Sequence, residues 1–276
     1  MDRILHILIL RSPFEKPAGC MLESQPRSNQ IFFGGKLAHK TARLILASNS
    51  PRRKQLLALS GWIFRVLPAD VDETPLEGEP VDEYVLRLAA VKARAVAPFA
   101  EDGELILAAD TTVADQGVIL GKPEDAQEAF QMLSALRGRV HQVHTAVAVH
   151  DPADGRLHTD LASTDVPMRA YTDDEIQAYI ATGDPFDKAG SYAIQHPGFK
   201  PVDSLGGCYA NVVGLPLCHL ERLLKQFGVA SQEDIPQACQ KTLGYDCAEY
   251  EYIQNSPPGA SHTSKVDAQL GAEGDL

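Results

Sequence analysis

The chain has 276 residues, 44% of them hydrophobic and 22% charged, with a net charge of −12. That supplies a core for one large domain or two small ones and excludes wholesale disorder. The acidic balance argues against a nucleic-acid or membrane-surface binder, since either needs a basic footprint. Residues 1–40 hold six Lys/Arg against three Asp/Glu, and residues 228–276 hold two against eight, so the middle carries −9. A local cluster of Arg and Lys there is therefore informative. The five cysteines, Cys20, Cys208, Cys218, Cys239 and Cys247, form no C-x-x-C pair. Reduced cytosolic thiols are expected, rather than a disulfide framework or a zinc knuckle. No apolar run reaches the ~18 residues that span a bilayer. Ile4–Leu10 is followed by no clear cleavage site, so no signal peptide is expected.

Residues 1–40 show no sustained period and read as an N-terminal extension, either flexible or added by start-site choice. A domain is expected over 41–228, followed by a polar, acidic C-terminal tail over 229–276. Leu44–Ala47 reads as a short buried strand. Pro51–Ser60 reads as a helix, with Ser50 as cap, Pro51 at its first position and Gly61 past its end. Val81–Val96 places Tyr84, Val85, Leu88 and Val91 on one helical face. Leu105–Ala109 is a buried strand, and Val118–Leu120 pairs with it across a turn at Asp115–Gly117. Pro123–Arg137 is a helix closed by Gly138. Val140–His150 alternates as a strand, and Leu161–Met168 is a further strand. Thr172–Thr182 opens with a capping box, Thr172 to Glu175. Tyr192–Gln195 and Asn211–Val213 are short strand candidates, and Leu217–Phe227 is a last helix. Strands and helices interleave, so the class is α/β.

Arg52 and Arg53 stand where a helix begins, at the end that repels cations. The Thr172 helix does the opposite, placing Asp173, Asp174 and Glu175 in its first turn. An anion docked at Ser48-Asn49-Ser50-Pro51-Arg52-Arg53 would account for the cations, because free N–H groups, hydroxyls and guanidinium groups would converge on it. The competing reading is a solvated basic patch. Neither G-x-x-x-x-G-K-[ST] nor G-x-G-x-x-G is present, which excludes the P-loop and the standard dinucleotide fingerprint. Asp110, at the expected end of a buried strand, suits a cleft, where it could hold Mg²⁺ or orient a water, and taken alone it reads more simply as a turn-forming Asp that caps a loop. Lys122 is fixed between Gly121 and Pro123. Asp187-Lys188-Ala189-Gly190 crowds small residues beside a charged pair and leads to Gln195. Asp70, Asp72 and Glu73 form an acidic cluster that reads most simply as solvated. His141 and His144 lie on opposite faces of their strand, so no metal site is expected there.

Together these stretches resemble the Maf family of nucleotide pyrophosphatases. The matching residues are L-A-S-N-S-P-R-R (Leu46–Arg53), D-V-D-E-T (Asp70–Thr74), R-L-A-x-x-K (Arg87–Lys92), A-D-T (Ala109–Thr111), G-K-P (Gly121–Pro123), D-K-A-G-x-Y-x-I-Q (Asp187–Gln195) and N-V-V-G-L-P-L (Asn211–Leu217). The resemblance implies an α/β fold like that of the inosine-triphosphate-cleaving enzymes, with two lobes around a twisted mixed sheet and a central cleft. It also implies a cytoplasmic homodimer that needs a divalent cation, Mg²⁺ or Mn²⁺. Such an enzyme cleaves a nucleoside triphosphate between its α and β phosphates.

Residue by residue, Asp110 matches the family's catalytic acidic residue, a proton acceptor. Ser48, Arg52, Arg53, Lys92, Lys122, Lys188 and Gln195 match substrate-binding positions, and Glu73 with Asp110 would hold the metal. Arg52, Thr111 and Gln195 match the set carried by pyrimidine-preferring members, which implies dTTP and UTP as substrates. Thymine and uracil offer neutral acceptor–donor–acceptor edges that a Gln can match. Members acting on 7-methyl-GTP tend to carry Glu at the position of Gln195. The alternatives are a different base specificity, a phosphatase, and a nucleotide-binding regulator of septum formation without significant turnover.

Overall fold

The computed structural model describes residues 43–259 and 263–264. The expected extension over 1–40 lies outside the described residues, as do 260–262 and 265–276 of the expected tail. A mixed sheet of seven strands forms the centre. It comprises β1 (Arg43–Leu46), β2 (Ile63–Val66), β3 (Glu104–Asp115), β4 (Val118–Leu120), β5 (Val140–His150), β6 (Leu157–Pro167) and β7 (Thr263–Ser264), in the order β2-β1-β3-β5-β6-β7 with β4 also on β3. β1 runs parallel to β2 and β3, β3 antiparallel to β4 and β5, and β5 antiparallel to β6.

Side chains in a strand alternate between the two faces of the sheet, and the core divides accordingly. Leu44, Leu46, Leu105, Leu107, Val147 and Val149 face one cluster, with Leu56 and Leu57 of α1 (Pro51–Ala58) and Leu220 and Leu223 of α6 (Leu217–Gln226). Ile45, Ile106, Ala108, Ala146 and Ala148 face the other, against Val85, Leu88, Ala89 and Ala93 of α2 (Val81–Val96). A third cluster covers the far halves of β3, β5 and β6. It joins Val113, Val143 and Val166 to Leu133 and Leu136 of α3 (Ala126–Leu136) and to Ile176 and Tyr179 of α4 (Asp173–Ile180).

β3 is longer than the sequence reading allowed, because Asp110 does not end it. β1 accompanies β3 only to Leu107, and β4 joins the same edge only from Val113. Between them, from Ala108 to Thr112, that edge has no strand partner among the described residues, while β5 continues unbroken on the other edge. The sheet therefore has a gap with Asp110 at its middle. Binding at such a switch in sheet order is the general rule for α/β proteins.

Other elements depart from the sequence reading. Asn211–Val213 lies in a short helix, α5 (Tyr209–Val213), despite its two β-branched valines. The buried Asn211 amide reaches the Val143 carbonyl and the Thr164 hydroxyl, and Gly214 closes the helix at φ 114°. Tyr192–Gln195 pairs with no strand and follows a 3-10 turn at Ala189–Ser191. The Pro123 helix starts only at Ala126, capped by Asp125. β2 carried no sequence signal strong enough to mark it. The stretch after Ala230, expected as a loose tail, contains α7 (Ile235–Leu243) and α8 (Tyr250–Asn255), whose Ile235 and Ile253 are buried in the core. Those helices are short, nine and six residues, so their apolar positions were too few to show a sustained period. The capping box at Thr172 is present as expected.

Candidate active site

A cleft of about 410 Å³ opens at the gap in the sheet. Arg52, Arg53, Glu73, Lys92, Asp110, Thr111, Lys122, Lys188 and Gln195 all line it, although they come from widely separated stretches. Ser48 is the exception: it lies behind the wall, buried, with its hydroxyl accepting from Arg53 Nη1 at 3.2 Å. Five basic and three acidic side chains line the cleft, leaving it net +2 in a chain of −12. It is the local cationic cluster that an anion needs.

The floor is built by the alternation of β3. Asp110 faces α2, where Lys92 donates to Asp110 Oδ1 at 2.6 Å and pairs with Glu73 Oε1 at 2.7 Å. Lys92 and Asp110 are 7% and 6% exposed, so this contact is shielded from bulk water. Tyr84, one side of α2, donates its hydroxyl to the Glu73 carbonyl at 2.8 Å, and Arg87 donates to the Thr74 carbonyl at 3.2 Å. The helix thus holds the acidic loop as well as supplying the lysine. Burial and the nearby Asp110 and Glu73 charges push the Tyr84 phenol up to about 12.

Thr111 faces the opposite side, toward α1. Arg53 donates Nε to the Gly214 carbonyl at 2.9 Å and Nη2 to Thr111 Oγ1 at 3.0 Å, besides its bond to Ser48. Burial lowers the pKa of this guanidinium, partly offset by the Asp110 charge. Thr111 Oγ1 lies 3.0 Å from Thr145 Oγ1, and Thr145 donates its one proton to the Asn211 carbonyl at 3.0 Å. Thr111 must then donate to Thr145 while accepting from Arg53. The misplaced cations of the helix start are thus answered in part by the protein. Arg53 uses three of its five side-chain donors internally and has two left for a ligand.

Lys188 differs from expectation more sharply. It is buried, and all three of its ammonium donors are taken, by the Asp184 carbonyl and carboxylate and by Asp187. In this arrangement it holds Asp187, which in turn stands 3.6 Å from Arg52. Lys122 and Gln195 are exposed at the cleft and make no hydrogen bond or ion pair with the protein among the described residues. Both are therefore open to a ligand. Thr145, Asn211, Gly190 and Asp187 escaped the sequence reading as site residues. Asp187 and Gly190 carried a signal in the D-K-A-G motif and Asn211 in N-V-V-G-L-P-L, whereas Thr145 carried none. Gly190 has φ 68°, and a Cβ there would lie 2.9 Å from Val113, a cleft-wall residue.

Among the described residues no three His, Cys, Asp or Glu side chains form a metal-binding group. Two carboxylates, Glu73 and Asp110, meet at Lys92, and their Oε2 and Oδ2 accept no hydrogen bond from described residues. Mg²⁺ is typically held by one or two carboxylates together with substrate phosphates and water, so the pair fits such an ion.

Residues 43–227 match the family described as "Maf-like protein". A dTTP/UTP pyrophosphatase of Anaeromyxobacter dehalogenans (strain 2CP-1) is 49% identical over 189 residues, covering 67% of this chain and 94% of its own. One from Geobacter sp. (strain M21) is 47% identical, covering 68% and 97%. One from Thermomicrobium roseum is 47% identical, covering 72% and 92%. Among solved structures, a nucleoside-triphosphatase / dITP/XTP pyrophosphatase from Mycobacterium abscessus covers 67% of this chain and 94% of its own at 16% identity and a TM-score of 0.36.

Proposed function

The chain belongs to the Maf family, and we propose that its cleft hydrolyses dTTP and UTP to the monophosphate and pyrophosphate. One observation supports the reading most: a buried carboxylate, Asp110, pinned by Lys92 at the floor of a net-positive cleft whose rim carries Arg52 and Lys122. Cations at the rim suit the triphosphate chain, and the carboxylate below suits water activation.

Lys92 holds Asp110 Oδ1, so Oδ2 is the oxygen left to orient the attacking water and receive its proton. Its task is to aim the water and accept the proton as phosphorus–oxygen bonding develops. Lys92 has one donor beyond its two carboxylate contacts, and with Lys122 and the two spare Arg53 donors it would take up charge on the departing pyrophosphate. Glu73 and Asp110 would hold a divalent cation, which when bound supplies Lewis acidity toward the phosphate oxygens. Gln195, free at the rim, would read the pyrimidine edge, with Arg52 and Thr111 shaping the same end.

The test is purified protein with Mg²⁺ or Mn²⁺ and a nucleotide panel, measuring pyrophosphate and orthophosphate separately. One pyrophosphate per dTTP or UTP is expected, with turnover abolished by a chelator. Orthophosphate alone would indicate a phosphatase, and binding without turnover a nucleotide-dependent regulator. A homodimer in the cytoplasm is part of the same proposal, checked by sedimentation and by cell fractionation. No helix among the described residues is long and apolar enough to cross a membrane.

A further inference from the structure

Four cysteines gather on the side of the core away from the cleft floor. Cys208 and Cys218 are buried in the same apolar cluster and Cys239 of α7 packs against it, while Cys247, between α7 and α8, is half-buried. Two segments are clamped together here. The Tyr245 hydroxyl sits against the carbonyls of Leu205 and Gly207, the latter at 2.8 Å. The rings of Tyr245 and Tyr209 lie 5.7 Å apart. Gln240 Oε1 accepts the Cys247 backbone N–H at 2.9 Å, fixing the approach of that residue. The clamp sets Cys208, next to Gly207, beside Cys247, two residues from Tyr245, close enough for each thiol to shift the other's proton affinity.

The two thiols are unequal. The interaction with Cys208 draws the Cys247 thiol down to about 7, and the same interaction with burial pushes Cys208 well up. Burial pushes Cys218 up and Cys239 up to about 11. Among the described cysteines, Cys247 alone combines a lowered thiol pKa with a degree of exposure, the two conditions for a reactive thiol.

We propose that Cys247 and Cys208 form a reversible disulfide, a modification site for hydroperoxides. The Cys247 thiolate attacks the peroxide, breaking the O–O bond and becoming a sulfenic acid, while the other oxygen leaves as alcohol or water. The Cys208 sulfur then attacks the Cys247 sulfur, forming the S–S bond and releasing water that carries the thiol proton. Two thiols lose two electrons and two protons, and one peroxide is reduced. The bond fastens the α7–α8 segment to the residue that precedes α5, the helix whose C-terminal Gly214 holds Arg53.

The full chain is treated with a modest excess of hydrogen peroxide, alkylated, digested with trypsin and mapped by tandem mass spectrometry. Peptide 242–265 carries Cys247 and peptide 189–222 carries Cys208 and Cys218. The expected product is these two peptides joined through Cys208, lighter by two hydrogens and separated again by dithiothreitol. Cys218→Ser should keep the link, whereas Cys208→Ser and Cys247→Ser should each lose it. A link that maps to Cys218, Cys239 or Cys20 would overturn the assignment. So would Cys247 oxidised to a sulfinic acid while Cys208 stays alkylatable. The wild-type map decides even if a variant fails to fold.

Discussion

Arg53→Lys tests whether the wall of the cleft is held as described. Arg53 joins three places that the chain brings from far apart: the Ser48 hydroxyl after β1, Thr111 on β3 and the Gly214 carbonyl that ends α5. A lysine keeps the charge and loses the fork. Its one ammonium cannot reach acceptors spread around a planar guanidinium and can retain about one of the three bonds. Hydrogen bonds from charged donors contribute ~1.5–3 kcal/mol each. Arg53 is half-buried, so water can replace part of what is lost and the lower end applies. Losing two bonds gives a destabilisation of about 2–3 kcal/mol. With a urea slope of ~2–3 kcal/mol/M, the unfolding midpoint should fall by about 1 M at an unchanged slope. Turnover should fall as well, because Thr111 loses its donor. A stability change below about 0.5 kcal/mol would refute the clamp and leave Arg53 as a solvated cation.

Asp110→Asn should abolish turnover with the fold intact by circular dichroism, since charge is lost without volume; near wild-type activity would contradict the assignment. Gln195→Glu should lower kcat/KM for dTTP and UTP relative to 7-methyl-GTP, and an unchanged ratio would remove Gln195 from base recognition. His141 is 2% exposed, its Nε2 lies 2.7 Å from the Tyr192 hydroxyl, and burial pulls it down to about 4. The unfolded state, with the ordinary pKa near ~6.5, takes the proton first, so stability is full above that value and falls as pH drops toward 4. Between pH 6.5 and 4.5 the loss should be at most about 2 kcal/mol, and His141→Gln should flatten that slope in pH-dependent urea unfolding. Gly190→Ala should destabilise by about 1–3 kcal/mol, through a left-handed φ and a clash with Val113, and a neutral result in thermal unfolding would contradict the backbone described.

Legibility in the sequence followed how local each feature is. The Thr172 capping box and the Val140–His150 alternation depend on neighbours within a few residues, and both stand as read. Asn211–Val213 has a strand-like composition, and the buried amide of Asn211 itself, bonded to Val143 of β5 and Thr164 of β6, decided otherwise. Asp110 was legible as a carboxylate at a buried strand. Its setting was not, because the gap in the sheet comes from where β1 stops and β4 starts, on a different edge from β5. Lys188 looked like one more phosphate ligand in its motif. Its three donors turned out to be occupied by Asp184 and Asp187, which lie within four residues of it. Proximity in sequence was visible there, but the direction of the ammonium was not.

By itself the sequence determined the α/β class, the family and the roster of charged residues. Those rest on hydrophobic period, turn chemistry and motif order, all carried by short stretches of chain. Tertiary structure alone decided which of those residues face one another. Side-chain direction alternates along β3, so Asp110 meets Lys92 on one face and Thr111 meets Arg53 on the other. Donors are finite, so each internal bond removes a hand from the ligand, and that count exists only once the strands and helices are packed.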